Sequence, residues 1–220
     1  MSRSSAPPLD KNDLRKLLVL IAASAVDMIG FAIVLPLLPF YAENLDATPK
    51  TIGWIIASFS IAQLISAPLW GRVSDRYGRR PALLIGLSAS AVAYVAFGLA
   101  NTVAWLFLSR IIQGAGGGTT GVAQAYVADS IPAAGRARAL GWLSAATSLG
   151  VMIGPVDGSL AAHWGRAAPG FVAAGLCLAN VIFAWRFLPE SRRVGEHAPT
   201  RKPVWHAAWQ VFRRPGTPVA

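Results

Sequence analysis

Charge is what this 220-residue sequence most lacks: only 14% of its residues are Asp, Glu, Lys or Arg, against about 25% in an ordinary soluble domain. Cysteine is nearly absent too. The single Cys177 excludes an intramolecular disulfide framework and any cysteine-built metal site. The three histidines, His163, His197 and His206, fall in predicted loops or the tail, with no clustered acid or nucleophile beside them. Neither an enzyme active site nor a metal or cofactor site is therefore expected. What is present is 54% hydrophobic residues and a mean hydropathy of +0.48, which excludes an ordinary soluble domain. Twenty basic residues against ten acidic ones leave a net charge of +10. Such an excess fits either a nucleic-acid or a membrane partner, and the positions of the bases must decide.

A membrane span needs about 20 mostly apolar residues at about 1.5 Å rise each. Six runs qualify: residues 17–40 with one charge (Asp27), 52–70, 82–101, 103–128 with Arg110 alone, 139–162 with Asp157 alone, and 167–185. The stretch from Pro81 to Ala128 is too long for one crossing, so a turn is expected at Ala100-Asn101-Thr102. The first run is too long for the apolar core of a signal peptide, carries Asp27 and two prolines, and shows no convincing cleavage site. Apart from Arg110, Lys and Arg divide seventeen to two between the sides of this arrangement, only Lys50 and Arg166 lying on the poorer side. Both termini are then cytoplasmic, the protein is a multi-pass protein of the cell (inner) membrane, and the charge is an orientation signal rather than a nucleic-acid surface. Trp54, Trp70, Trp105, Trp142, Trp164 and Trp185 fall near predicted span ends, where amphipathic rings prefer to lie. The expected organisation is a cytoplasmic segment 1–16, a six-helix domain 17–188 and a basic cytoplasmic tail 189–220. Within the tail, Trp205, Trp209 and Phe212 recur at helical spacing before Arg213-Arg214. That pattern fits either a short amphipathic helix on the inner leaflet or an unstructured linker.

Ionisable groups inside spans are expensive and mark functional sites by default. Arg110, Gln113, Gly117, Thr120 and Gln124 form one polar stripe at i, i+3, i+7, i+10, i+14, which faces the bundle interior or water rather than lipid. Gly114, Gly116, Gly118 and Gly121 make the same helix slim enough for a neighbour's close approach. Arg110 either couples protons or simply satisfies carbonyls and holds helices together. Asp27 lies mid-span, one turn after Ser24 and one turn before Gly30. Burial and a nearby guanidinium act in opposite directions on a carboxyl, a competition that a proton carrier exploits. The other reading of Asp27 is a permanently ionised partner for Arg110. In the second span Ser60 and Gln63 are the only candidates for a polar edge, open equally to a helix–helix hydrogen bond and to ligand binding. Gly150, Gly154 and Gly158 recur every four residues, a ridge for tight helix packing, while Pro155 invites a kink. Asp157 falls within the same arc, either facing a partner helix or cavity or reaching the outer water.

These landmarks resemble the amino-terminal half of a twelve-helix drug/proton antiporter of the major facilitator superfamily. The predicted loop Gly71-Arg72-Val73-Ser74-Asp75-Arg76-Tyr77-Gly78-Arg79-Arg80 matches the superfamily's cytoplasmic signature G-x-L-x-D-R-x-G-R-R/K except for Val73. The resemblance implies a cytoplasmic gate in which Asp75 caps and pairs while Arg79 reaches Asp129. Arg110-Ile111-Ile112-Gln113-Gly114 is similar to the fourth-helix R-x-x-Q-G motif, whose arginine is tied to proton coupling. The segment Gly150 to Ser159, with Gly154, Pro155 and Gly158, resembles the fifth-helix antiporter motif G-x-x-x-G-P-x-x-G-G, with Ser159 in place of the last glycine. Asp157 occupies a position there that is usually apolar or small, and adds a candidate second proton or cation site. The first span resembles tetracycline/proton antiporters in particular. Family members have two six-helix halves with the substrate cavity between them. On that comparison the chain is a truncated piece, or it pairs with a separate second half or with itself.

The expected fold is all-α: six transmembrane helices forming one half of a major facilitator fold, as two three-helix inverted repeats. The expected function is proton-coupled efflux of a small, amphipathic, drug-like compound by alternating access, with little or no activity from the chain alone. Asp27, Arg110 and Asp157 would couple protons, and Gln63, Gln113 and Gln124 would line the cavity. Gly71, Asp75, Arg76, Gly78, Arg79, Arg80 and Asp129 would form the gate. The alternatives are a residual or regulatory membrane half that moves nothing, and proton-coupled nutrient uptake, which shares every feature but the fifth-helix glycine ridge.

Overall fold

A computed structural model describes residues 11–191 of the chain. Among them are eight helices and no strand: α1 (Lys11–Val34), α2 (Leu38–Glu43), α3 (Pro49–Tyr77), α4 (Arg79–Gly98), α5 (Val103–Gly116), α6 (Thr119–Ser130), α7 (Ala133–Ala162) and α8 (Ala168–Phe187). The predicted tail helix and most of the 1–16 segment lie outside the described residues. The segments Asp13–Glu43, Pro49–Tyr77, Arg79–Gly98, Ala133–Ala162 and Ala168–Phe187 are each long and apolar enough to cross a membrane. The sixth pass is made by α5 and α6 together, neither of which is long enough alone.

Local chemistry explains the ends. Thr48 and Thr102 are extended N-caps whose hydroxyls accept the Thr51 and Trp105 backbone N–H groups at 3.3 and 3.4 Å, satisfying donors that a helix start leaves orphaned. Pro49 and Pro169 sit in the first turn of α3 and α8, where a missing N–H costs nothing. In two places the sequence expectation is corrected. The Gly71–Arg80 motif is not a loop: residues through Tyr77 are the last turns of α3, Gly78 alone makes the connection, and Arg79 begins α4. Gly78 has φ +105°, a region a β-carbon disfavours. The fourth span is also not one helix. It breaks after Gly116, where Gly117 and Gly118 donate to Gly114 O and Gly116 O in tight turns of 3.0 and 2.9 Å.

The passes pair in a pattern that survives exchanging the first three with the last three. α1 packs along α7 as α5 packs along α3; α4 lies against α8; and α4 meets α5 as α8 meets α1. This is the inverted repeat expected of the fold. Glycines set the closest approaches. A β-carbon on Gly150, Gly154 or Gly158 of α7 would meet Ala25 O at 2.5 Å, Ala32 Cβ at 2.5 Å and Ile33 O at 2.7 Å on α1. On the repeat-related pair, a β-carbon on Gly114 would collide with Phe59 O of α3. Two apolar cores fill the bundle. One gathers Leu20, Leu83, Tyr126, Leu143 and Leu188 at the end rich in arginine and lysine, the other Ile33, Ile55, Tyr94, Phe97 and Cys177 at the opposite end. Asp27, Gln113 and Thr119 are buried between the cores, Ser74 and Arg79 at the arginine-rich end.

Candidate functional site

The break in the fourth pass frees backbone carbonyls at membrane depth, where each needs a partner because no water is at hand. One stripe of α3 supplies them. Gln63 Nε2 donates to Gly117 O at 2.9 Å, Ser66 Oγ to Gly114 O at 3.0 Å, and Trp70 Nε1 to Ala115 O at 2.6 Å. These residues fall at i, i+3 and i+7, so one helical face holds the whole kink. Trp70 is therefore engaged with the break through its indole N–H. Trp54, Trp105, Trp164 and Trp185 are exposed near helix ends, and Trp142 is exposed ten residues into α7.

The break also turns Thr119, the first residue of α6, inward. Its hydroxyl donates to Asp27 Oδ2 at 3.0 Å, and both side chains are buried. Asp27 borders two small clefts. Toward the arginine-rich end lies an apolar crevice of about 20 Å³ among Leu20, Ala23, Leu83, Leu143 and Leu188. On the other side lies a more polar cleft of about 30 Å³ with Phe31, Phe59, Gln63, Tyr94 and Gln113. Either has room for about one or two waters.

Arg110 is 1% exposed, the largest side chain sealed in the described bundle. None of its three guanidinium nitrogens makes a hydrogen bond among the described residues, and its guanidinium lies 5.9 Å from the centre of the Phe97 ring. The ion pairs among the described residues are Lys16–Asp13, Arg79–Asp75 and Arg79–Asp129, so Asp27 and Arg110 are not joined. One turn along α5, Gln113 Nε2 donates to the Tyr94 hydroxyl at 2.6 Å, and its Oε1 is left unpartnered. The repeat-related junction carries Asn180 Nδ2 donating to Ala23 O at 2.8 Å.

The break also divides the predicted polar stripe. Arg110 and Gln113 are buried, whereas Thr120 and Gln124 are exposed. Thr120 and Gln63 line a cleft of about 270 Å³ that runs with Gly117, Gly121 and Ala125 down to Ser74 and Arg79. Asp157 is half-buried on α7 and stands apart from Asp27, with no ion pair among the described residues.

At the arginine-rich end Arg79 is buried at the centre of a network. It makes 2.8 Å contacts through Nη2 to Asp75 Oδ1 and through Nε to Asp129 Oδ2, and it donates through Nη1 to Ser74 Oγ at 2.6 Å. Gly71 and Arg76 stay exposed, Arg76 resting on the Tyr77 ring at 5.4 Å. Arg80 donates to the Trp185 carbonyl. A residue absent from the sequence reading completes the cluster. Glu190, just beyond α8, accepts the backbone N–H groups of Arg79 and Arg80 at 2.9 and 3.2 Å. It thereby caps the start of α4, where Gly78 has no side chain to do so. Thr119, Tyr94 and Asn180 were missed as well. Glu190 carried one legible signal: it is the single acid between Arg186 and the arginines that follow.

Known proteins resemble this chain. The sequence model of the Major Facilitator Superfamily matches residues 20–218. Multidrug resistance protein 2 of Bacillus subtilis (strain 168) is 32% identical over 180 residues, 81% of this chain and 45% of that protein. The class C tetracycline resistance protein of Escherichia coli is 33% identical over 186 residues, 83% of this chain and 47% of that one. The crystal structure of the human organic anion transporter MFSD10 (TETRAN) superposes with a TM-score of 0.74 at 27% identity, covering 87% of this chain and 51% of that one. The chain spans about half the length of these relatives. On the extent of the family match, the helical architecture and the membrane-crossing segments together, this chain belongs to the major facilitator superfamily.

Proposed function

We propose that the chain supplies one half of a proton-coupled exporter of small amphipathic compounds. The observation that carries this reading is the placement of Asp27. The carboxyl is buried between two clefts on opposite sides of it, held by Thr119 and free of Arg110. A carboxyl so placed can exchange its proton with one side or the other as helices shift, which alternating access requires. Resistance proteins among the relatives support export. The basic residues Arg15, Lys16, Arg72, Arg76, Arg79, Arg80, Arg136, Arg138 and Arg186 at one end support a cytoplasmic location for that end and for both termini.

The geometry supports the following residue roles. Asp27 carries the proton; Arg110, sealed without a hydrogen-bonded anion, fixes the field around Tyr94 and Gln113. Gln63, Gln113 and Thr120 face the clefts, and exposed Gln124 faces the second half. α6 joins the coupling site to the gate: Thr119 at its first residue holds Asp27, and Asp129 near its last turn holds Arg79, about 15 Å away at 1.5 Å per residue. The glycine break lets α6 tilt without dragging α5. Asp157 is a second proton site only if its loss changes the pH dependence of transport.

The test uses everted membrane vesicles from cells producing the chain, alone and with a complementary six-helix second half. Proton-driven accumulation of ethidium or tetracycline by the pair, lost in Asp27→Asn, is the expected result. Accumulation by the chain alone would overturn the need for a second half. Uptake in the opposite direction would establish the nutrient-import alternative. Stable assembly with no transport in either direction would establish the non-transporting half-protein. Asp157→Asn with unchanged transport and pH profile would remove Asp157 from the coupling residues.

A further inference from the structure

The arginine-rich ends of α1, α4 and α8 enclose a cleft that shares only Arg80 with the gate and no residue with the coupling site. It measures about 420 Å³ and is walled by Arg15 and Lys16 from α1, Arg80 from α4 and Arg186 from α8, over a floor of Phe187, Leu188 and Pro189. Among the described residues no carboxylate lines it. Asp13 pairs with Lys16 at 3.2 Å in a partly buried i,i+3 contact at the end of α1. Glu190 is turned to the backbone of α4. Arg80 is anchored by its bond to the Trp185 carbonyl, and its Nε is buried with no hydrogen-bond partner. Four cations from three helices thus face one space, and an anion placed between them relieves their mutual repulsion.

The surroundings say what kind of anion. On the membrane side, α1 exposes Leu14 and Leu18, and α8 exposes Ile182 and Trp185. Ile182 lies one turn deeper than Arg186 on the same stripe, and Leu18 one turn deeper than Arg15. A charged pocket that opens directly onto exposed apolar helix faces matches a molecule with a phosphate head and hydrocarbon tails. A small soluble anion would use only the pocket. Basic pockets between transmembrane helices at the cytoplasmic face bind such head groups.

We propose that this cleft binds the head group of an anionic phospholipid from the adjoining leaflet, with its phosphate among Arg15, Lys16, Arg80 and Arg186 and its acyl chains along α1 and α8. The site stands on its own observations and needs neither the second half nor transport, so it survives or fails apart from the exporter reading.

The experiment is native mass spectrometry of the full chain released from detergent containing equal amounts of phosphatidylglycerol and phosphatidylcholine. Both lipids carry a phosphodiester, but only the first has net charge. The parent chain is expected to retain one phosphatidylglycerol in preference to phosphatidylcholine. Arg15→Gln/Arg186→Gln is expected to bind it roughly thirtyfold more weakly, the effect of two surface cations. Arg15→Lys/Arg186→Lys is expected to keep most of the binding. Arg72→Gln/Arg138→Gln removes the same charge from the same end, outside the cleft, and is expected to bind like the parent. Protection of Cys177 from maleimide confirms that each variant is folded. Equal retention of the two lipids would overturn the site. So would equal loss in both Gln double variants, which would mean diffuse surface charge. Displacement of the lipid by inorganic phosphate with no remaining preference between lipids would overturn it in favour of a soluble-anion pocket.

Discussion

Glu190 offers the sharpest test of the arrangement, because its carboxylate and Gly78 depend on each other. Its oxygens accept the first two N–H groups of α4 at 2.9 and 3.2 Å, at a helix start with no side-chain cap of its own. Loss of a helix cap costs about 1 kcal/mol, and up to about 2 where the contact is strong. The positive end of the helix adds a few tenths at a half-exposed site. Glu190→Ala should therefore cost about 1–2 kcal/mol, or roughly 2–8 °C in the unfolding midpoint for a chain of this size. Glu190→Gln, which keeps one acceptor, should fall between. Gly78→Ala meets two separate obstacles: φ of +105° and a β-carbon only 2.5 Å from Glu190 Oε2. The backbone strain costs about 1–2 kcal/mol, and the collision evicts the Glu190 cap. Combining the two substitutions removes the collision and leaves no cap to lose a second time. The double variant should be more stable than the sum of the singles by more than about 0.5 kcal/mol. The assay is thermal unfolding of the purified chain in detergent, read by a thiol-reactive dye on Cys177, which is fully buried on α8. Additive costs, or an unchanged midpoint in Glu190→Ala, would refute the cap.

The other predictions address packing and coupling. Gly154→Ala places a β-carbon 2.5 Å from Ala32 Cβ and 2.8 Å from Ile29 O, contacts with little room to yield, and should cost about 1–3 kcal/mol in the same assay. Gly53→Ala on α3 has nothing within 4 Å and should be neutral or stabilising by about 0.5–1 kcal/mol; equal effects of the two would contradict the α1–α7 packing. Thr119→Val removes the hydroxyl that holds Asp27 and should lower proton-driven transport by the paired halves about tenfold, the effect of one hydrogen bond to a charged partner. Thr119→Ser should keep it, and equal loss in both would point to packing against Gly86 instead. Cys177 should resist maleimide in the folded chain and react fully in denaturant, and rapid labelling under native conditions would contradict its burial.

Which parts of this were legible in the sequence follows from the range of the interaction involved. The passes could be read because hydropathy is summed along contiguous residues, and the α7 glycine ridge because a four-residue spacing fixes one helix face. The inward burial of Asp27 and Arg110 followed from the cost of charge in hydrocarbon, which needs no knowledge of neighbours. Their partners did need it. Whether Asp27 meets Arg110 or Thr119 depends on how far α6 turns after Gly116, and that turn depends on Gln63, Ser66 and Trp70 some 45 to 54 residues earlier in the chain. The run of glycines at 116–118 read as a slim helix, a fair inference from composition alone. Glycine equally permits a break, and what favours one here is that α3 offers three donors for the carbonyls a break exposes. Gln124 is exposed rather than buried with Gln113 for the same reason, since a periodic stripe carries across a helix only while the helix stays continuous. Glu190 lay beyond the last span, where no periodicity marks it. Its role exists because α4 begins with a glycine that cannot cap itself, and the end of α8 arrives beside it.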